Sequence, residues 1–587
     1  MNRNSWTPHS YPVQAPPEQS FHAPVKLPPK NSFSSFKTTA ETADMEDFDP
    51  DAPIPPNPLP PKPVPQLPRN MRAVRDGINH KSQGRTIIIC LDGTGDKFDG
   101  DNSNIVHFVS CLKKSYPNQI TYYQSGIGTY NGGGLTNGVN AAFDMAVGSG
   151  LGVHIRDAYK FLMQNYQEND KICLFGFSRG AYTARCLAGM LHKVGLLPAH
   201  NVSQVQFAYE YYKDDTVNGW KMSADFKRTF CMNINVYFIG VFDSVASVGF
   251  IPRTLPLSST PTNKSRYFRH AMALDEHRAK FKVCRFQRKD HIDNDAKWKT
   301  AAELHERPDA LVRRFSPGLG LNEKPETNGV NGVLPNEKKA AHDDIVAESM
   351  QQAEKRQEQQ WDTDVLEVWF AGCHCDVGGG AVKNEERHRL AQIPLRWMIR
   401  QCFECNTEII FKAHVLAEEG IDVHTLYPQY QSLEIPSVRP PPHMMDKFEK
   451  GEVPSIKKRS SVLEPVKKEE PHGFQNIKLW QDSERQLLAE HWVPEQVEDY
   501  FDALTSINDQ LATAKGWWVL EVWPVEIRYQ PKDADDWRKK TGMNLGRFRA
   551  VQEYAPNLHW TVQARQEAKG YKIRTRLDRK SEWKLVV

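Results

Sequence analysis

Residues 171–190 read KICLFGFSRGAYTARCLAGM, and this stretch decides the fold. Ile172 to Phe175 form a continuous apolar run with no alternation, the pattern of a strand buried on both faces of a parallel sheet. Gly176-Phe177-Ser178-Arg179-Gly180 follows at once, and Ala181 to Gly189 reads as a helix. A G-x-S-x-G between strand and helix is the pattern of a nucleophile elbow: the chain turns sharply and raises the serine on strained backbone. Gly176 and Gly180 are expected to remove side chains that would clash there. The backbone N–H of Arg179, at the start of the helix, is a candidate oxyanion donor.

Working outward, the same apolar runs recur. Ile87, Ile88, Ile89 and Leu91 form one, broken by Asp92-Gly93-Thr94-Gly95. NVYFIGVF (235–242) and VLEVWFAG (365–372) are two more. Helical patterns lie between them, as in NIVHFVSCLKKSY (104–116) and HIRDAYKFLMQNY (154–166). Strands alternating with helices imply an α/β fold with a mostly parallel sheet and helices on both faces. GWWVLEVWPVEIRY and NLHWTVQAR, near the carboxyl end, read as aromatic-rich strands that extend the sheet or cap it.

A serine nucleophile needs a base, and the base needs an acid to hold its tautomer. In α/β-hydrolases these follow the serine in the order acid, then histidine. The run 235–242 ends at Asp243 and the run 365–372 ends just before His374. Carboxyl ends of parallel strands share one edge of the sheet, so Ser178, Asp243 and His374 are the candidate triad. His559, in NLHWTVQAR, also satisfies the order and is the alternative base. Gly93, in the loop after the first strand, is the candidate second oxyanion donor.

Composition bounds the rest. Net charge is +3 over 587 residues, which gives no field for non-specific nucleic-acid binding. No run approaches the ~18 apolar residues of a membrane span. The amino-terminal MNRNSWTPHSYPVQ lacks an apolar signal stretch, so a cytoplasmic location is expected, with peripheral membrane contact left open. Residues 1–82 hold 17 of the 39 prolines and read as a disordered tail whose polyproline II segments suit SH3 or WW-like modules. The catalytic domain is expected over 83–425, with a polar insert at about 317–360. A polar loop follows over 426–475, and 476–587 complete or cap the domain.

Other motifs are weaker. Cys373, Cys375, Cys402 and Cys405 could be drawn as a zinc site, but C-x-C is an unusual spacing and free thiols are the expectation. Asp96, Asp99, Asp101 and Asn104 miss the spacing of a calcium-binding EF-hand. The loop LDGTGD differs from the haloacid-dehalogenase motif at its nucleophile position, where Cys90 stands. Gly148-x-Gly150-x-Gly152 is not a dinucleotide loop. No cofactor and no metal are expected.

Six motifs in one order, LDGTGD, QSGIGTY, GFSRGAYTARCLAGML, GVFDSVASVG, ALDEHRAKF and EVWFAGCHCDVGGG, resemble the catalytic domain of type VI secretion lipase effectors of the first class. The resemblance covers roughly 85–425 and takes in 476–565. It implies an α/β-hydrolase with Ser178, Asp243 and His374 as the triad. The bacterial effectors of the family imply phospholipase activity. The proline-rich head and long inserts look like a eukaryotic, fungal-type member. The expected function is a serine hydrolase that cleaves a carboxylic ester through an acyl-enzyme, the ester being a small molecule or a lipid. Two other classes compete: a catalytically silent α/β-hydrolase scaffold for protein interaction, and a metal-assisted phosphoesterase at the acidic LDGTGDKFDGD loop.

Overall fold

In the computed structural model, residues 67–82, 84–94, 96–126, 150–214, 216–245, 265–286, 363–436, 494–531 and 533–587 are described, with 446 and 450. Eight strands form one sheet in which every pairing is parallel. They are β1 (Thr86–Leu91), β2 (Gln119–Gln124), β3 (Lys171–Phe177), β4 (Val236–Phe242), β5 (Ser265–Ala273), β6 (Asp364–Phe370), β7 (Asn557–His559) and β8 (Lys584–Val586). The spatial order is β8-β7-β6-β5-β4-β3-β1-β2. From β1 the chain steps outward to β2, returns to the other side of β1 as β3, and then continues in one direction. That reversal opens a crevice at the carboxyl ends of β1 and β3, where parallel sheets hold their ligands.

The apolar runs produce this arrangement because each strand is covered twice. Ile88, Cys90, Cys173, Phe175, Phe238 and Phe242 face one core, packed against α1 (Asn104–Cys111). Their neighbours Ile87, Ile89, Ile172, Leu174, Ile239 and Val241 face a second core. That second core is covered by α2 (Leu151–Asn165), α3 (Ser178–Val194), α4 (Val205–Lys213) and α5 (Val217–Phe230). Successive side chains of a strand point to opposite faces, so an unbroken apolar run belongs in a sheet with helices on both sides. This is the α/β-hydrolase-type fold expected from the sequence.

The carboxyl-terminal region joins the sheet and is more helical than the aromatic pattern implied. NLHWTVQAR gives only the short β7 before turning at His559 into a helix, and GWWVLEV is helical rather than extended, with the strand confined to Pro524–Tyr529. Ahead of it, α6 (His374–Gly378) and α7 (Gln392–Glu404) follow β6, and α8 (Pro494–Ala503) lies against α7. Arg400 pairs with Glu495 at 2.6 Å and Arg396 with Asp499 and Asp502, all buried. The last helix, α9 (Trp560–Lys569), packs on α8. A buried carboxylate left without its guanidinium costs about 3–5 kcal/mol, so these pairs pin residues 494–503 to the catalytic body.

The boundary expected at residue 82 moves. Asn70–Arg72 pairs antiparallel with Ile410–Lys412, and Leu67, Met71 and Ala73 belong to the first core. Proline density ends at Pro68, and the apolar residues beyond it have a strand to pair with. The proline-rich residues before 67, the insert at 317–360 and most of the 426–475 loop lie outside the described residues.

Candidate active site

Ser178 is the first residue of α3, directly after β3, and it adopts a left-handed backbone with φ +57°. A side chain in that region costs strain, which persists only where the surroundings fix it. The glycines on either side fix it sterically. A Cβ on Gly180 would lie 2.2 Å from the carbonyl oxygen of Leu91, and one on Gly176 would lie 2.6 Å from Ala181 backbone. The two glycines let the turn press against the end of β1. The first-turn N–H groups of α3 have no partner within the helix, so the Arg179 N–H lies at the helix's positive end.

Asp243 follows β4 and is likewise left-handed, with φ +37°. Its carboxylate is fully buried and has four donors. Oδ1 accepts from the backbone N–H of Ala273 at 3.0 Å and from Arg549 Nη1 at 2.6 Å. Oδ2 accepts from Arg549 Nη2 at 2.9 Å and from His374 Nδ1 at 2.5 Å. Burial alone would raise this carboxyl, but the Arg549 guanidinium and the His374 hydrogen bond outweigh it and hold Asp243 well below the usual carboxylate range. An ionised Asp243 accepts only, so the Nδ1 of His374 carries the proton and Nε2 presents its lone pair. That Nε2 is buried and has no hydrogen-bond partner among the described residues.

His374 is placed by its own loop. Its backbone N–H donates to Glu276 Oε2 at 3.2 Å, and Glu276 is held by Arg278 through two bonds of 3.0 and 2.8 Å. The imidazole lies 4.7 Å from the ring of Phe177, the residue before Ser178, and edge-on to Phe281 at 4.8 Å. Asp376 accepts from the Cys373 N–H at 2.8 Å and from both the backbone and the side chain of Asn508, at 2.9 and 2.7 Å. Burial pushes Asp376 up to about 6 against those donors. Burial also lowers the His374 pKa, with Asp243 opposing, so the imidazole is neutral near pH 7.

The structure thus brings Asp243 and His374 into direct contact beside the turn that carries Ser178. His559 is elsewhere. Its Nδ1 bonds Thr561 Oγ1 at 2.8 Å, its ring stacks on Phe370 at 4.8 Å, and burial pushes it down to about 3. Gly93 lies in the loop after β1, and its N–H is engaged within that loop. It donates to the Asp92 carboxylate at 2.8 Å, which also accepts from Ser103 at 2.7 Å and Tyr123 at 2.8 Å. Thr94 accepts from the Arg179 side chain.

The acidic side chains of the loop after β1 lie near one another, and burial with their mutual repulsion raises Asp96. Asn104 donates its side-chain amide to the carbonyls of Val377 and Ala391. Cys373 donates to the Asp275 carbonyl and Cys402 to the Met398 carbonyl, while Cys405 accepts from Arg269. Among the described residues no three His, Cys, Asp or Glu side chains are grouped as metal ligands would be. Sequence reading missed Arg549, which has no local motif, and gave no role to Glu276 and Arg278 within ALDEHRAKF.

A family model described as the catalytic domain of the T6SS phospholipase effector Tle1-like proteins matches residues 85–401. The chain belongs to that family. Among its relatives is the uncharacterized protein YEL023C of Saccharomyces cerevisiae, 28% identical over 557 residues, with 82% of this chain and 79% of the yeast protein covered. A fungal relative accords with the eukaryotic-type member the inserts suggested. Two solved structures are more distant. An uncharacterized protein from Pseudomonas aeruginosa is 16% identical, with a TM-score of 0.27 over 56% of this chain and 47% of that one. The Tle1 effector bound to the VgrG spike of the type 6 secretion system is 17% identical, with a TM-score of 0.23 over 55% and 57%. The chain therefore spans about half the length of those solved proteins. Among the described residues no helix is long and apolar enough to cross a membrane.

Proposed function

We propose that this protein is a serine hydrolase that cleaves the carboxylic ester of a lipid or phospholipid through an acyl-enzyme. The observation that carries the reading is the 2.5 Å Asp243–His374 hydrogen bond, which leaves Nε2 of a neutral imidazole unpartnered beside the Ser178 turn. Ser178 Oγ attacks the acyl carbonyl and its proton passes to His374 Nε2. Asp243, anchored by Arg549, stabilises the imidazolium that forms. The Arg179 N–H supports the oxyanion. A second contribution from Gly93 requires its N–H to leave Asp92. The C–O bond to the alcohol then breaks as His374 returns the proton to the departing alkoxide. Water, activated by the same imidazole, attacks the acyl-enzyme and releases the carboxylic acid.

The lipid substrate is supported by membership in a family named for phospholipase effectors. The test is turnover of fatty-acyl esters, phospholipids included, by wild type and Ser178→Ala. The variant should keep its melting temperature and lose about 10⁴-fold or more in kcat/KM. Retention of about a tenth of the wild-type rate would contradict the reading.

A further inference from the structure

The loop that carries His374 is held from two sides by buried carboxylates, and the donors on those carboxylates come from far along the chain. Gly372 donates its N–H to Asp275 Oδ2 at 2.7 Å and its carbonyl accepts from the Asp275 N–H at 2.9 Å. The Tyr571 hydroxyl donates to the same Asp275 carboxylate, 2.9 Å from either oxygen. On the other side, Asp376 Oδ2 accepts from the backbone N–H groups of Cys373 and Asn508, at 2.8 and 2.9 Å. Its Oδ1 accepts from the Asn508 side chain at 2.7 Å. The loop between has little slack. Gly372 has φ +108°, and a Cβ there would lie 2.3 Å from that of Asp376.

Asn508 and Tyr571 belong to one unit. Asn508 follows α8, Tyr571 follows α9, and the two helices pack together. Arg565 of α9 donates to the carbonyls of Ala503 and Thr505, which ties α9 to the chain leading into Asn508. Both residues lie beyond residue 401, where the match to the family model ends. Among the described residues neither bonds Ser178, Asp243 or His374, so an effect on turnover must pass through the loop.

A carboxylate that faces only donors is held best as the anion, because a proton on it would point at an N–H. Burial raises Asp376 to about 6 and raises Asp275 too, with the donors opposing in both. The charged groups facing Asp376 from neighbouring elements are Asp275 and Arg565, with the Cys373 and Cys375 thiols on its own loop. Arg565 and Arg574 face Asp275. Removing a donor raises the carboxyl further, so the loop loosens at a higher pH.

We propose that Asn508 and Tyr571 are positioning residues for the base: acting through Asp376 and Asp275, they fix the loop 372–376 so that the His374 imidazole is aligned for proton transfer. The proposal rests on the serine-hydrolase reading and makes the carboxyl-terminal region part of the active site.

Variants of the full chain test it on a soluble acyl ester. Asn508→Ala and Tyr571→Phe should each lower kcat about tenfold with KM within about twofold, since a misaligned base costs turnover and not substrate binding. Asn508→Ala should also move the acid midpoint of kcat/KM upward. Asp376→Ala should lose about a hundredfold, and Asp376→Asn should recover most of that loss, because the Asn508 amide can turn its oxygen toward the new amide. With Asp376→Asn the acid limb should become shallower, one titrating group having been removed. The hydrogen-bonded Nδ1 proton of His374, seen downfield in proton NMR and assigned by its absence in His374→Ala, should shift upfield in Asn508→Ala. Wild-type kcat in either Asn508→Ala or Tyr571→Phe overturns the role of that residue. A lowered melting temperature with kcat per folded molecule, acid midpoint and resonance all unchanged would reduce both to structural contacts. Tyr571→Phe keeps the ring, so the test stands even where Asn508→Ala fails to fold. The resonance requires no turnover, so a failure of the serine-hydrolase reading, seen as activity retained by Ser178→Ala, is distinguished from a failure of the positioning.

Discussion

Two buried histidines, His270 within β5 and His374 at the start of the helix after β6, look alike until the far side of each ring is inspected. His374 donates through Nδ1 to Asp243 at 2.5 Å, and His270 is bonded through Nδ1 to Glu367 at 3.0 Å. Each carboxylate is further held by an arginine, Arg549 on Asp243 and Arg285 on Glu367. Both carboxylates stay ionised, Glu367 at about 2 despite its burial. The difference is at Nε2. On His270 it accepts the backbone N–H of Ser244 at 3.1 Å, so one ring nitrogen ties β5 to the loop after β4 and the other ties it to Glu367 on β6. On His374 it has no partner among the described residues. A histidine with a carboxylate is common inside proteins. The unspent lone pair, on a ring 4.7 Å from that of Phe177, the residue before Ser178, is what the proposed proton transfer requires.

The largest effect separates the two histidines. His374→Ala should cost about 10⁴-fold in kcat/KM, and adding Ser178→Ala should cost little more, because triad members act as a unit. His270→Ala should stay within about tenfold of wild type in turnover. It should lower stability by about 1–3 kcal/mol, since it strands the Ser244 N–H and the Glu367 carboxylate. Steady-state kinetics beside chemical denaturation reads both, and a dead but stable His270→Ala would break the distinction.

The arginines differ next. Arg549 is 5% exposed and its Asp243 partner fully buried, so Arg549→Met should destabilise by about 3–5 kcal/mol. Arg285 has 35% of its side chain exposed, and solvent screening should reduce Arg285→Met to about 0–1 kcal/mol. Denaturant midpoints of the two variants check the order. Equal losses would mean that the Asp243 clamp is no stronger than an exposed pair.

The smallest effect is in pH. In the proposed mechanism His374 acts as base only when its Nε2 is unprotonated, so kcat/KM should rise from acid toward neutral pH and then level. Burial lowers this histidine, which puts the midpoint of the rise below 6.5. Arg549→Met, where enough folds to assay, should move that midpoint upward, because an unbalanced Asp243 anion favours the imidazolium. An acid limb centred above pH 7 in wild type would mean that another group controls the rate.

The sequence carried the core of this site because its parts sit on the strongest local signals. The runs ending at Phe177 and Phe242 are strands buried throughout, and an acid or serine directly after such a run must lie at the sheet edge. Chain order alone could not choose between His374 and His559, since both stand at or just beyond a strand end; the proposed assignment to His374 rests on its contact with Asp243. Strand β5 was harder to read. Its Arg269 and His270 are polar in a buried strand and make sense only with Gln401, Asp364 and Glu367 as partners. Arg549 is the extreme case. It lies 306 residues from Asp243, within an unremarkable GRFRA, and its role exists only in three dimensions. The opposite error came from aromatic content: Trp560 and Val562 are buried on a helix, where the same side chains had suggested a strand.

The account turns on His374, and not His270, activating Ser178. The most direct measurement is the rate at which a fluorophosphonate labels the protein, with the modified residue mapped by mass spectrometry. Wild type and His270→Ala should be labelled at Ser178 at similar rates, His374→Ala at least a hundredfold more slowly, and Ser178→Ala not at all. Labelling of another residue in wild type, or equal labelling of His374→Ala and wild type, would contradict it.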